Sequence, residues 1–203
     1  MDGDIAPLKK IIGLKKFYSF MLMVDDAHAV GIINTNFKGI DIHMGTLSKI
    51  LASQGGYVAG SKDLIDLIRK TSRPFMYSTG LSPVDTGCAL EALKIIQKDN
   101  TLKIKLINNA NYFRNGLKKI GFNILGDFQI IPLIIDDNKK TMRFQKLLEK
   151  DGIFVTGIRK PTVKEARLRI SVMATHTRKQ LDKALKAFEK NGIKLGLIPR
   201  DRK

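Results

Sequence analysis

One cysteine, Cys88, stands in 203 residues, and that scarcity excludes an internal disulfide and any metal site built on a cysteine cluster. A reducing compartment is the expected setting. Long apolar runs are missing too: none approaches the roughly 18 residues needed to cross a bilayer, so no transmembrane helix is expected. The opening "MDGDIAPLKK" is acidic and lacks an apolar core, so it does not read as a secretory signal, and the expected location is the cytoplasm. Acidic side chains are short against basic ones, 19 to 36, for a formal net charge of +17. A field of that size attracts nucleic acid, anionic membrane or phosphorylated small molecules. The lysines, however, run along stretches such as "KIKLINNANYFRNGLKKIG" and "TRKQLDKALKAFEKNGIKLG", with apolar positions between them at three-to-four spacing, as on solvated helix faces. No helix-turn-helix, aromatic ribonucleoprotein motif or zinc pattern accompanies them, so specific nucleic-acid recognition is not expected.

What is present is enough apolar material, 43% of residues, to bury a core in one domain or two small ones. "APLKKIIGLKKFYSF" predicts an amphipathic helix opening at a proline, "MLMVDD" and "IDIHMGT" predict buried strands, and "GGYVAGS" a short strand. "KDLIDLIRKTSR" predicts a helix stopped by Pro74. Two long helices follow, over roughly 83–98 and 101–120, then a strand in "FQIIPLII" and a helix in "KTMRFQKLLEKDG". Strands in "IFVTGI" and "ARLRISVM", antiparallel in appearance, precede a final helix from Thr177. The pattern is α/β first and α+β second, changing between Tyr77 and Pro83, with no internal repeat or low-complexity tract.

Chemistry gathers where strands run out. In open α/β sheets reactive groups collect at the carboxyl ends of strands, and "MLMV" ends in Asp25, Asp26 and His28. "IDIHMG" likewise ends in Thr46, Ser48 and Lys49, so the two strand ends could converge on one ligand. Lys49, flanked by Leu47, Ile50 and Leu51, is expected to be partly desolvated, which lowers an amine's pKa and makes it a nucleophile toward an aldehyde. A Schiff-base lysine, an acid for a pyridinium nitrogen and hydroxyls for a phosphate are the parts a pyridoxal phosphate enzyme needs. Spacing alone leaves a strand-end aspartate and a surface lysine as the bland alternative.

Six motifs in order carry a stronger message: "MDGDIAPL", "VDDAHAVG", "DIHMGTLSK", "GGYVAGS", "SRPFMYSTGLSP" and "ARLRISVMATHT". Together they resemble the α-oxoamine synthase family of pyridoxal phosphate enzymes, through nearly the whole chain. The resemblance implies a fold-type-I pyridoxal phosphate transferase, with the remainder of a truncated large domain over residues 1–81 and a small α+β C-terminal domain over 82–203. It implies pyridoxal 5′-phosphate as cofactor, a small amino acid (glycine or alanine) and an acyl-CoA as substrates, and a homodimer. Lys49 resembles the lysine that binds the cofactor's aldehyde and moves the substrate α-proton. Asp25 matches the acid at the pyridinium nitrogen, and His28 the residue beside the ring's 3-oxygen. Thr46 resembles a phosphate ligand, and Ser78 and Thr79 lie in the motif that reaches a phosphate across the dimer interface. Arg169 resembles the arginine that forks onto the substrate carboxylate.

Each role has a structural competitor. His28 could be a strand-end histidine with a backbone partner, Asp26 reads as a structural cap or solvated neighbour, and His43 and His176 read as structural. Ser48 is evenly divided between a helix cap and a phosphate contact. No ligand spacing supports a metal site from His28, His43 and Asp25. The resemblance also has two departures. The family begins well before "MDGDIAPL", where this chain has Met1 at an internal methionine, and only residues 32–40 separate the second and third motifs where the family has a longer glycine-containing segment. The chain thus resembles a C-terminal portion with an internal deletion, and the competing reading is a noncatalytic remnant or interaction fragment.

Overall fold

The computed structural model describes residues 2–33 and 38–199. Met1 and the middle of the short 32–40 connection, residues 34–37, lie outside the described residues. The chain divides into two compact units, one of Ala6–Asn100 and one joining residues 2–5 to residues 101–199.

In the first unit, α1 (Leu8–Leu14) opens after Pro7 as its sequence predicts. Three strands follow, β1 (Met23–Asp25), β2 (Ile42–Thr46) and β3 (Gly56–Gly60), in the order β1-β2-β3. β1 runs parallel to β2, and β3 antiparallel to it. Only central β2 approaches the expected burial, with His43 and Gly45 enclosed; β1 is open, Met23 being 53% exposed. A strand reads as buried throughout only where layers cover both faces and neighbours both edges, and β1 lies at the sheet margin. Helix α2 (Lys62–Thr71) is capped by Ser61, whose hydroxyl accepts from the Leu64 N–H, and is flanked by Asp63 in its first turn and Arg69 and Lys70 in its last. It ends before Pro74, which instead sits in the first turn of the short α3 (Arg73–Met76), where its missing N–H leaves no bond unmade. Ser82 caps α4 (Pro83–Lys98), and Ala89 of that helix joins Leu47 and Leu51 in a small core.

The second unit holds α5 (Thr101–Ile120), β4 (Ile130–Ile134), α6 (Asn138–Lys150), β5 (Thr156–Ile158), β6 (Arg167–Ser171) and α7 (Arg178–Lys194). Its sheet has the order β4-β6-β5 and is antiparallel throughout. Pro132 fits inside β4 because an edge strand does not need every N–H for its ladder. A capping box between Thr177 and Gln180 starts α7, and its buried Leu181, Ala184, Ala187 and Phe188 recur at the spacing of one helix face. Phe188 meets Phe113 and Phe144 edge to face, with ring centroids 5.8 and 5.5 Å apart. Asn109 ties α5 to the turn before α7, its amide donating to the carbonyls of Met173 (3.1 Å) and His176 (2.9 Å). Among the described residues, no helix is long and apolar enough to cross a membrane.

Fully buried Phe188 is the junction of this aromatic core. Phe188→Ala is expected to lower stability by about 3–5 kcal/mol through lost burial and the cavity left behind. Phe154→Ala, at a side chain 82% exposed, should change it by less than about 0.5 kcal/mol. Urea unfolding of the two variants checks the contrast.

Candidate active site

The parallel pair β1–β2 sets the first part of the site. Asp25 stands opposite Met44 in the register, so Asp25, Met44 and Thr46 share one face of the sheet, while Val24, His43 and Gly45 share the other. The Asp26 N–H continues the ladder by donating to the Met44 carbonyl at 2.7 Å. The two adjacent acids therefore turn opposite ways. Asp25 is exposed, and its Oδ1 accepts from the Ala27 N–H at 2.8 Å in a local turn. Asp26 is only 6% exposed and its Oδ2 lies 2.9 Å from Nδ1 of His43. The reading of Asp26 as a solvated neighbour is thus corrected: it is a buried structural partner, since burying a carboxylate without one is costly. Sequence reasoning missed this pair, since the alternation of strand side chains signals only that the two acids face opposite ways.

A cavity of about 610 Å³ opens on the His43 side, lined also by Tyr57, Asp41 and Leu64. The Tyr57 ring occupies the space that a side chain at Gly45 would need, so glycine there is a packing requirement. Burial raises the Tyr57 phenol's pKa, and the nearby charge of Asp26 adds to the rise. The start of β1 is held by Asp41, whose carboxylate accepts from the Leu22 N–H at 2.7 Å and pairs with Lys15. These two bonds, the backbone one first, hold Asp41 below the ordinary carboxyl value.

His28 lies exposed in the turn after β1, where the Ala29 and Val30 N–H groups donate to the Asp26 carbonyl at 2.8 and 3.1 Å. Gly31 closes that turn at φ +69°, and a Cβ there would come within 2.8 Å of Ile50 and 2.9 Å of Ile96. Lys49 sits in the loop that leaves β2. Its neighbours Leu47 and Leu51 are buried, but Lys49 itself is exposed, contrary to the expected partial desolvation. The apolar neighbours turn inward to α4 and thereby send the lysine out. The hydroxyl of Thr46 pins this loop, 2.8 Å from the Ser48 hydroxyl and 3.1 Å from the Gly55 carbonyl. No regular helix follows Ser48, so its cap reading lapses.

Ser78 and Thr79 are exposed in the segment before α4, and Leu81 of that segment packs where a side chain at Gly55 would stand. Asp25, His28, Thr46, Lys49 and Thr79 thus belong to one unit, the first three tied to the β1 and β2 ends and Lys49 to the loop beyond. Arg169 belongs to the other unit, half-buried on central strand β6 between Pro132 and Thr156. The Nδ1 of His176 accepts from the Met173 N–H at 3.2 Å.

The sequence pattern of the family described as aminotransferase class I and II matches residues 1–188. The 8-amino-7-oxononanoate synthase of Thermosipho melanesiensis is 44% identical over 211 residues, which cover 98% of this chain and 54% of that relative. A solved structure of SPT with the PLP internal aldimine matches at TM-score 0.91 and 28% identity, over 98% of this chain and 54% of that one. Serine palmitoyltransferase of Sphingomonas wittichii matches at TM-score 0.91 and 26% identity over the same shares. The chain spans about half the length of the curated relatives it matches. Because the 211-residue match exceeds the 203 residues present, the Thermosipho relative carries residues that this chain lacks within the matched region.

The Asp41 clamp makes acid stability testable. A carboxyl held below its ordinary value of 3.8 contributes stability that is present above that pH and is lost as pH falls through the lowered value. The stability difference between the native chain and Asp41→Asn should be constant from neutral pH to about 4 and shrink below it. Urea midpoints of both proteins across that range measure it.

Proposed function

Because the chain belongs to the aminotransferase class I and II family, we propose that it carries the lysine-bearing portion of a pyridoxal phosphate acyltransferase of the α-oxoamine synthase type. The reaction would join a small amino acid, glycine or alanine, to an acyl-CoA. The Thermosipho relative's name favours the 8-amino-7-oxononanoate synthase type of this reaction. One observation carries the reading: Asp25 and Thr46 share an accessible face at the ends of two parallel strands, and Lys49 follows in the loop.

The donor set suits pyridoxal phosphate. Asp25 is an acceptor on the open face, Thr46 a hydroxyl and Lys49 an exposed amine in a loop pinned at Thr46 and Gly55. When bound, that cofactor supplies an electron sink for a carbanion at the amino acid's α-carbon. Asp25 would keep a proton on the ring nitrogen, and His28 would bond the ring's 3-oxygen. Lys49 would hold the aldehyde carbon and carry the α-proton. Thr46 would bind phosphate, with Ser78 and Thr79 reaching the phosphate of a neighbouring subunit. Arg169 would orient the substrate carboxylate with its paired donors. A homodimer goes with this reading, supported by the exposed Phe75, Tyr77, Leu81 and Val84 around Thr79. By motif order, the cofactor-binding portion would comprise residues 1–81 and the small domain residues 82–203.

Reduction with borohydride in the presence of pyridoxal phosphate should fix the label on the Lys49 peptide, and Lys49→Ala should abolish it. Label spread over the surface lysines, as read by peptide mass mapping, would remove Lys49 from its role.

A second reading, a noncatalytic remnant, rests on the 54% share of the relative that the chain spans. We expect weak cofactor binding with little or no condensation by these 203 residues alone. Free CoA release with glycine or alanine and acetyl- or pimeloyl-CoA measures this, and robust turnover would reject the remnant reading.

A further inference from the structure

Three polar groups of one residue, Asp26, reach four different residues. Its N–H donates to the β2 backbone at Met44 (2.7 Å), and its carbonyl accepts from Ala29 (2.8 Å) and Val30 (3.1 Å) in the turn that bears His28. Its carboxylate meets His43 of β2 at 2.9 Å, with both residues buried. Strand β1 is only three residues long, with three register pairs holding it to β2. A strand this short fixes its last residue poorly unless something beyond the ladder holds it. Asp25 is that last residue, and its own carboxylate is aimed by a bond from Ala27, the residue just past Asp26.

We infer that the buried Asp26–His43 pair is a positioning pair: it sets the backbone of residues 25–30, and through it the orientation of the Asp25 carboxylate and of the His28 turn. The inference rests on the reading of Asp25 as the acceptor of the cofactor's ring nitrogen. The chemistry explains why the doublet is acid-acid. One carboxylate is placed for the ligand, and the other is spent inside, where the imidazole gives it a directional partner and removal of the imidazole takes that partner away. His–carboxylate partners of this kind orient groups that touch a bound centre, and their loss in metal sites weakens affinity by about 10–100-fold.

The experiment is a double-mutant cycle on the full chain, titrated with pyridoxal phosphate and followed by its visible absorbance. His43→Leu should weaken binding about tenfold in the native background and clearly less in the Asp25→Asn background, where only the His28 turn is left to misplace. His43→Asn, whose amide can occupy the Nδ1 position, should restore most of the affinity. Equal losses in both backgrounds would mean that His43 acts only on general stability and would overturn the proposal. Should His43→Leu fail to fold, His43→Ala and Asp26→Asn carry the same cycle. If Asp25→Asn alone leaves affinity intact, the functional reading of Asp25 fails, and amide hydrogen exchange then decides the pair. Faster exchange at Ala27, Ala29 and Val30 in the His43 variant, without change in β3, supports the clamp; unchanged exchange in the turn overturns it.

Discussion

Successive side chains on a strand point to opposite faces, so two adjacent acids at the end of β1 cannot serve one ligand together. The parallel pairing of β1 with β2 decides which does what. With Asp25 opposite Met44, Asp25 falls on the face of Thr46, and Asp26 falls on the face of His43. The loop that follows Thr46 must then return under the sheet end to bury Leu47 and Leu51 against Ala89, and this leaves Lys49 outward. Shifting the register of β1 by one residue would exchange the two acids, burying the one we assign to the ligand and exposing the one that binds His43. Asp41 holding Leu22 defends that register from the start of β1.

Charge follows a different rule. The net charge of +17 sits mostly on lysines of exposed helix faces, where water screens it. The cations that do enter the interior are arginines with identified acceptors. Arg167 bonds the Glu165 carbonyl at 2.9 Å and pairs with Asp2, which draws residues 2–5 to the second unit. Arg114 donates to Asn111 at 2.8 Å and to the Phe128 carbonyl. A guanidinium suits these places because its planar fork satisfies several acceptors at once. The basic composition therefore describes a solvated surface with a few interior anchors.

Helices were the most legible elements because their ends carry local chemistry. Serine before proline marks the start of α4, and threonine followed three residues later by glutamine marks α7. Pro74 misled for the same reason it informed elsewhere: proline both stops a helix and opens one, and only the position of Ser72 between α2 and α3 decides. Motif order gave the family, the cofactor and the residues to inspect. It could not give burial, which depends on partners distant in sequence. Asp26 and His43 are separated by seventeen positions, and no local pattern states that they touch. Nor could it foretell that apolar neighbours would push Lys49 out rather than enclose it, because the direction of a loop side chain is set by what its neighbours pack against.

The exposure of Asp25 and Lys49 bears on how far the proposed chemistry can proceed. In water the attraction between two charges about 4 Å apart is near 1 kcal/mol, and it grows several-fold only when protein replaces solvent around them. Holding a cofactor needs a handful of such contacts and tolerates an open face. Stabilising a carbanion for condensation needs fixed dipoles and excluded water at the moment charge develops. The residues we assign to holding the cofactor lie at the β1 and β2 ends, in a backbone pinned by Asp26, Asp41 and Thr46, and the side chains of Asp25 and Lys49 are exposed. On the proposed reading, binding and turnover therefore separate physically: the strand ends would position the ligand, and enclosure would have to come from whatever covers that face.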